Sequence, residues 1–263
     1  MSRARLWTEF RGAGDPLLVL LHGLLTTAAV WEPLDSILAT SWPGRRVLID
    51  LPGHGRSDAL PEYSFGVLAA EVARAIGPTA RPVVLVGHSM GGVVALTLAT
   101  GWFGVPVAGV LAIGVKVNWS TDELAAAERA RDRPVKWYVS REEAEQRFVR
   151  LAGLPPEAAS QPNLLAGGIA TAGELFRVAA DPRVGSIGPP PPMAGLVAVA
   201  GAPIRFAAGE LDQMVGVDEL KKFDPDAVEI AGSGHNAHIE NAAAVAELIG
   251  AVEQIRPRDS IKR

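Results

Sequence analysis

The feature that most restricts the fold of this chain is a set of short apolar runs, each stopped by glycine or a polar turn. Residues 17–21 run into His22-Gly23, 46–51 into Pro52-Gly53, and 83–86 into Gly87. Later runs occupy 107–115, 204–208 (before Gly209) and 228–231 (before Gly232). Runs that are largely apolar, without strict alternation, suit strands buried on both faces, which is the pattern of a parallel sheet. Helix-like segments lie between them, as at 65–76 and 91–100. Strand and helix in alternation predict βαβ units and an open α/β sheet.

The stretch 118–196 reads differently. It offers three amphipathic helix candidates, 121–131, 141–152 and 173–180, and no strand pattern interrupts them. Ser120-Thr121-Asp122-Glu123 supplies a cap and first-turn acids for the first. The run Pro189-Pro190-Pro191-Pro192 closes the stretch as a stiff connection. The reading is a core of residues 1–117 and 197–263 with a helical cap at 118–196 over the carboxyl edge of the sheet. The alternative places these helices in the main layer.

At 263 residues, with 48% hydrophobic and 21% charged residues, the chain can build a sizeable core. Its net charge of −4 and the lack of a Lys/Arg-rich run argue against nucleic acid as partner. With no cysteine, disulfides, thiolate metal sites and cysteine nucleophiles are excluded. The first residues lack the apolar stretch of a secretory signal, and no run approaches the ~20 apolar residues of a membrane span. The expectation is a soluble, cytoplasmic protein. Segments 12–14 and 256–263 read as exposed and carry no functional assignment.

Gly87-His88-Ser89-Met90-Gly91 gives G-x-S-x-G between a buried-strand run and a helix-like run, the setting of a nucleophile elbow. Glycines two residues either side of the serine let the chain turn sharply, and the turn lifts the hydroxyl off the sheet. A serine needs a base. Of five histidines, His88 adjoins the nucleophile and His22 and His54 sit in early turns. His235, in the glycine-rich loop Gly232-Ser233-Gly234, is the base candidate, with His238 as its alternative. The order Ser…Asp…His then selects an acid after an intervening strand, and Asp212 fits there. Glu210, Asp218 and Asp122 are weaker candidates.

In these motifs the chain resembles the α/β-hydrolase superfamily over nearly its whole length. His22-Gly23 resembles the oxyanion turn, and Asp50-Leu51-Pro52-Gly53-His54-Gly55-Arg56-Ser57 the loop after the following strand. Gly87 to Gly92 resembles the elbow, Gly209 to Asp212 the acid turn, and Gly234-His235 the base loop. The resemblance favours His235 over His238 and implies that the backbone N–H groups of Leu24 and Met90 form the oxyanion hole. It implies hydrolysis of a carboxylic ester, lactone or thioester of a small molecule through an acyl-enzyme, with no cofactor and no metal. Two other readings stay open: a carbon–carbon bond hydrolase of a β-diketone-type substrate, and a ligand-binding protein that keeps its triad. His54, Arg56, Ser57 and Asp58 read as loop braces. Lys116, Asn118 and Trp119, with Trp137, Tyr138, Phe148 and Phe176 of the cap, divide between packing and pocket lining. Oligomeric state is not legible.

Overall fold

The structure is a computed structural model and describes residues 4–130, 134–188 and 191–254. The strands are β1 (Thr8–Arg11), β2 (Leu18–Leu21), β3 (Arg46–Ile49), β4 (Val83–His88), β5 (Val107–Ile113), β6 (Ile169–Ala172), β7 (Leu175–Val178), β8 (Ile204–Gly209) and β9 (Val228–Ile230). Seven form one sheet in the order β1-β3-β2-β4-β5-β8-β9, and β6 and β7 form a separate hairpin. Within the large sheet only β1 runs antiparallel to its neighbour.

Successive residues of the central strands enter two apolar layers. Val19, Leu21, Val47, Ile49, Leu85 and Ala112 lie in one, Leu18, Leu20, Leu48, Val84, Val86 and Leu111 in the other. Both faces are covered, so no position can be polar cheaply, and this explains the unbroken apolar runs. The helices are α1 (Glu32–Ser41), α2 (Phe65–Ile76), α3 (Met90–Ala99), α4 (Thr121–Ala130), α5 (Arg141–Leu151), α6 (Met193–Val199), α7 (Val217–Leu220), α8 (Ala237–Glu240) and α9 (Ala242–Gln254). Helix α2 buries Phe65, Leu68, Ala69, Val72 and Ile76, a single stripe, and Ser64 caps it by accepting from the Val67 N–H at 3.2 Å. Helix α3 is buried on all sides; its one polar side chain, Thr97, donates to the Val93 carbonyl at 2.8 Å.

Between β5 and β8 the chain leaves the sheet. Helix α4 starts with a reciprocal capping box. The Ser120 hydroxyl accepts from the Glu123 N–H at 3.2 Å, and the Glu123 carboxylate accepts from the Ser120 N–H at 2.9 Å. Helix α5 inserts Ala144, Phe148 and Val149 into the core. The expected helix at 173–180 is corrected to a hairpin. Ala172 pairs with Leu175 across Gly173 and Glu174, and Gly173 has φ +58°. A two-residue loop that begins in the left-handed region joins strands with matching twist, so the glycine directs a turn and not a helix start. The 118–196 stretch therefore contains two strands as well as helices. The expected boundary at 196/197 falls inside α6, whose Met193 and Leu196 join the layer beneath α3. Arg131, Pro189, Pro190 and the 256–263 tail lie outside the described residues. No helix among the described residues is long and apolar enough to cross a membrane.

Candidate active site

Ser89 stands between β4 and α3 with φ +51° and ψ −116°. Only one other non-glycine residue among those described, Leu25 at φ +60°, has a positive φ. The glycines around Ser89 answer a steric demand. A Cβ on Gly87 would lie 2.3 Å from the Gly91 carbonyl oxygen, and one on Gly91 would lie 2.2 Å from that of Leu21. The elbow is thus clamped between its own helix and the end of β2. The Ser89 N–H donates to the Ile113 carbonyl at 2.8 Å, which fixes it against β5.

The His22 turn closes over the elbow. A Cβ on Gly23 would meet His88 Nδ1 at 2.7 Å and the Ser89 Cβ at 3.5 Å. His22 is fully buried, and its Nε2 accepts from the Leu51 N–H at 2.8 Å. Its Nδ1 therefore carries the proton and donates to the Gly23 carbonyl at 2.8 Å. Burial lowers the pKa of this ring and keeps it a neutral brace. Among the described residues neither the Leu24 nor the Met90 N–H has a protein acceptor, and both residues line the cavity that holds Ser89.

His235 lines the same cavity of about 230 Å³, and its Nδ1 lies 2.8 Å from Asp212 Oδ2. The Asp212 side chain is fully buried, while that of His235 is 18% exposed. Asp212 Oδ1 accepts from the N–H groups of Met214 at 2.8 Å and Val215 at 3.2 Å. A buried carboxylate with three donors is a satisfied anion, and its remaining pull falls on the imidazole Nδ1–H. The base loop is held by Glu240, which accepts from the Gly234 N–H at 2.6 Å and the Asn236 N–H at 3.3 Å.

The structure brings together Ser89, His235, Asp212, Leu24 and Met90 and leaves the rival residues elsewhere. His238 is buried between the rings of Trp31 and His88, at centroid distances of 4.5 and 4.4 Å, and lines no part of the Ser89 cavity. Burial, with His235 and His22 nearby, pushes its pKa down to about 3. His88 is buried too, held well below the ordinary histidine range by burial and by His238 and His235. Its Nε2 donates to the His235 carbonyl at 2.9 Å, a tie between elbow and base loop. Glu210 accepts from the Gly232 N–H at 2.8 Å, and Asp218 and Asp122 are exposed.

The loop after β3 braces, as expected. Asp50 is buried and accepts from Ala28 N–H, Arg56 N–H and the Arg56 guanidinium, the last at 2.7 Å. Arg56 also stacks on Trp7 at 3.1 Å. Lys116 and Trp119 do line the Ser89 cavity, whereas Phe148 is packed in the core. Two further residues shape the site. Gly114, at φ +60°, leaves room for the His235 ring, which a Cβ would approach to 3.2 Å. Gly209 lets the acid turn touch the base loop, where a Cβ would lie 2.1 Å from the Gly234 carbonyl oxygen. Their only signal in the sequence is a glycine at the end of an apolar run. Among the described residues, no cluster of three or more histidines and carboxylates could hold a metal ion.

Comparison with known proteins agrees with this architecture. One relative is a 2-succinyl-6-hydroxy-2,4-cyclohexadiene-1-carboxylate synthase of Yersinia enterocolitica. It is 28% identical over 89% of this chain and 85% of its own length. A pimeloyl-[acyl-carrier protein] methyl ester esterase of Klebsiella pneumoniae is 38% identical over 94 residues, only 36% of this chain and 35% of that protein. The solved structure of E-2-(acetamidomethylene)succinate hydrolase superposes with a TM-score of 0.78, covering 97% of this chain and 99% of that one at 22% identity. Residues 18–248 match the profile of the Alpha/beta hydrolase family, and with the sheet order and the strand–serine–helix turn in place, the chain belongs to that family.

Proposed function

We propose that the chain hydrolyses a carboxylic ester, lactone or thioester of a small molecule through an acyl-enzyme on Ser89. One observation carries this reading: a positive-φ serine shares its cavity with a histidine whose far nitrogen is 2.8 Å from a buried, fully bonded aspartate. Ser89 Oγ attacks the carbonyl carbon while His235 Nε2 takes its proton. The oxygen of the tetrahedral intermediate becomes negative, and the Leu24 and Met90 N–H groups stabilise it, each contributing roughly 3 kcal/mol. Collapse breaks the bond to the alcohol or thiol, which leaves with the proton from His235. Water, deprotonated by the same nitrogen, then attacks the acyl-Ser89 ester, releasing the acid and restoring the hydroxyl. Asp212 keeps Nδ1 protonated and stabilises the imidazolium. The part of 118–196 that precedes α6 serves as the cap over this cavity, to which it contributes Trp119, Leu151 and Ile187. The esterase named among the relatives supports the choice of ester chemistry.

A fluorophosphonate probe tests the reading. Intact mass should show one adduct, peptide mapping should place it on Ser89, and His235→Ala should abolish it. A Ser89→Ala variant that retained wild-type ester turnover would refute the assignment. A well-folded protein that never labels would move a ligand-binding role to the front. A second reading is cleavage of a carbon–carbon bond in a β-diketone; the Yersinia relative, whose name is that of a synthase, supports looking beyond esters without naming that bond. Turnover of β-diketones but not esters, lost in Ser89→Ala, would select it.

A further inference from the structure

Beside the Ser89 cavity lies a second one, of about 180 Å³, whose walls include Lys136, Tyr138, Arg147 and Arg177. Leu25 and Leu151 line both, so the two spaces adjoin at these side chains. No carboxylate lines the second cavity among the described residues. Among the described residues none of its three cations pairs with a carboxylate elsewhere either. Lys136 sits 4.9 Å over the Tyr138 ring, Arg177 sits 5.6 Å over Trp137, and Arg177 Nη1 donates to the carbonyls of Val178 and Ala180. Arg147 is half-buried on α5 and unpaired, although Glu143 lies one turn earlier on the same helix. On that helix Arg141 does pair with Glu145, at 2.8 Å, so an ion pair along α5 is attainable.

Tyr138 supplies an independent observation. It is only 8% exposed, and its hydroxyl has no hydrogen-bond partner. A buried phenol without a partner costs free energy, and such groups are normally satisfied. A donor hydroxyl and three cations with no carboxylate partner among the described residues surround one cavity in a chain whose net charge is −4, a lining suited to an anion. The remaining walls, such as Leu25, Val135, Leu151 and Val178, are apolar and weaken the screening of those charges.

We propose that this cavity is the anion subsite of the substrate pocket, taking a carboxylate or phosphate at the far end of the ester or thioester whose carbonyl meets Ser89. The proposal rests on the hydrolase reading above and names its substrate class. The anion is held by Arg147, Arg177 and Lys136 and accepts the Tyr138 hydroxyl proton in a hydrogen bond. The connecting chain passes Leu25 and Leu151.

The test is kcat/KM for a length series of p-nitrophenyl esters that end in a carboxylate, a phosphate or a methyl group. At one chain length an anionic ester should exceed its methyl-terminated match by about tenfold or more, as charge-assisted binding implies. Whichever anion leads identifies the headgroup. Arg147→Ala and Arg177→Ala should each bring that ratio towards one within the same variant, and Arg147→Lys should retain part of it. Equal rates for charged and neutral esters at every length, or a ratio indifferent to both arginine variants, would overturn the proposal while leaving the hydrolase reading intact. Should Ser89 fail to label with fluorophosphonate, the hydrolase reading falls alone. Calorimetric titration with the free dicarboxylates then decides the subsite: a dissociation constant raised about tenfold by Arg147→Ala supports it, and an unchanged one refutes it.

Discussion

Lowering the pH from 8 to 5 should destabilise this protein by an amount that the buried histidines set. His54 and His238 are fully enclosed, and burial pushes each pKa down to about 3. In the unfolded chain both titrate near 6.5. At pH 5 the unfolded state has therefore gained a proton at each site that the folded state refuses. The free energy of that uptake is RT ln(1 + 10^1.5), about 2 kcal/mol per histidine and about 4 kcal/mol for the pair. His22 and His88 are shifted in the same direction and add to the effect. Stability is complete above about pH 6.5 and falls as the pH drops through the window towards 3, because there the unfolded chain binds more protons. Carboxylates contribute little above pH 5, since their unfolded pKa values lie near 4. The loss compares with a total stability of about 5–15 kcal/mol for an ordinary domain. Urea unfolding followed by far-UV circular dichroism at pH 8, 6 and 5 measures it directly. His238→Phe replaces one titrating ring by a similar apolar one between Trp31 and His88, so the pH 8 to 5 loss should shrink by about 2 kcal/mol. Any packing cost of the larger ring is the same at every pH and cancels in that comparison. Coincident urea midpoints at pH 8 and pH 5 would refute the reasoning.

Two substitutions probe the site more locally. Gly91→Ala puts a Cβ 2.2 Å from the Leu21 carbonyl oxygen, where only backbone movement relieves the clash. It should cost about 3 kcal/mol in thermal or urea unfolding and lower ester turnover with it. Asp212→Asn keeps an oxygen for the Met214 and Val215 N–H groups but presents the wrong partner to His235 Nδ1. Its melting temperature should stay near wild type while kcat falls by about 10⁴, which a discontinuous ester assay resolves.

The sheet was legible because a strand buried on both faces has a composition that few other elements share. Residues 46–49 and 83–88 are buried at every position, and the sequence is apolar to match, apart from Arg46, which is paired with Asp35 at 2.6 Å, and His88, which donates to the His235 carbonyl. β1 gave no such signal. Thr8–Arg11 is an edge strand, half in water, held by backbone pairing to β3 and by Arg11 to Glu32 and Asp35. Nothing in Thr-Glu-Phe-Arg announces those partners, which lie more than twenty residues away. The hairpin of β6 and β7 was misread for a related reason. Leu175, Phe176 and Val178 suit one face of a helix as well as a strand, and their pairing with 169–172 and with Tyr138 is a tertiary choice. The motif residues fared better because each is fixed by local sterics. Gly87 and Gly91 have no alternative at their positions, and the same logic reaches Gly114 and Gly209 only once the neighbour across the turn is known.

The two strained non-glycine residues connect these threads. Strain of this kind persists only where the surroundings over-determine it. At Ser89 those surroundings are evident: the bond to Ile113, the bond from Gly92 N–H to the Ser89 carbonyl, and the glycine contacts of the elbow. Leu25 has no such clamp of its own, yet it follows directly on Leu24 and precedes Thr26, which is tied to Gly23 by its N–H at 3.3 Å and its hydroxyl at 2.8 Å. A left-handed residue at that point lets the chain turn back on itself within this short loop, which leaves the Leu24 N–H without a protein acceptor beside the cavity. Leu25 itself lines both the Ser89 cavity and the cation-lined one. On the proposed mechanism, one backbone conformation would serve both the donor for a developing oxyanion and the passage to a charged tail. A substitution at Leu25 should therefore change ester turnover and the preference for an anionic tail together.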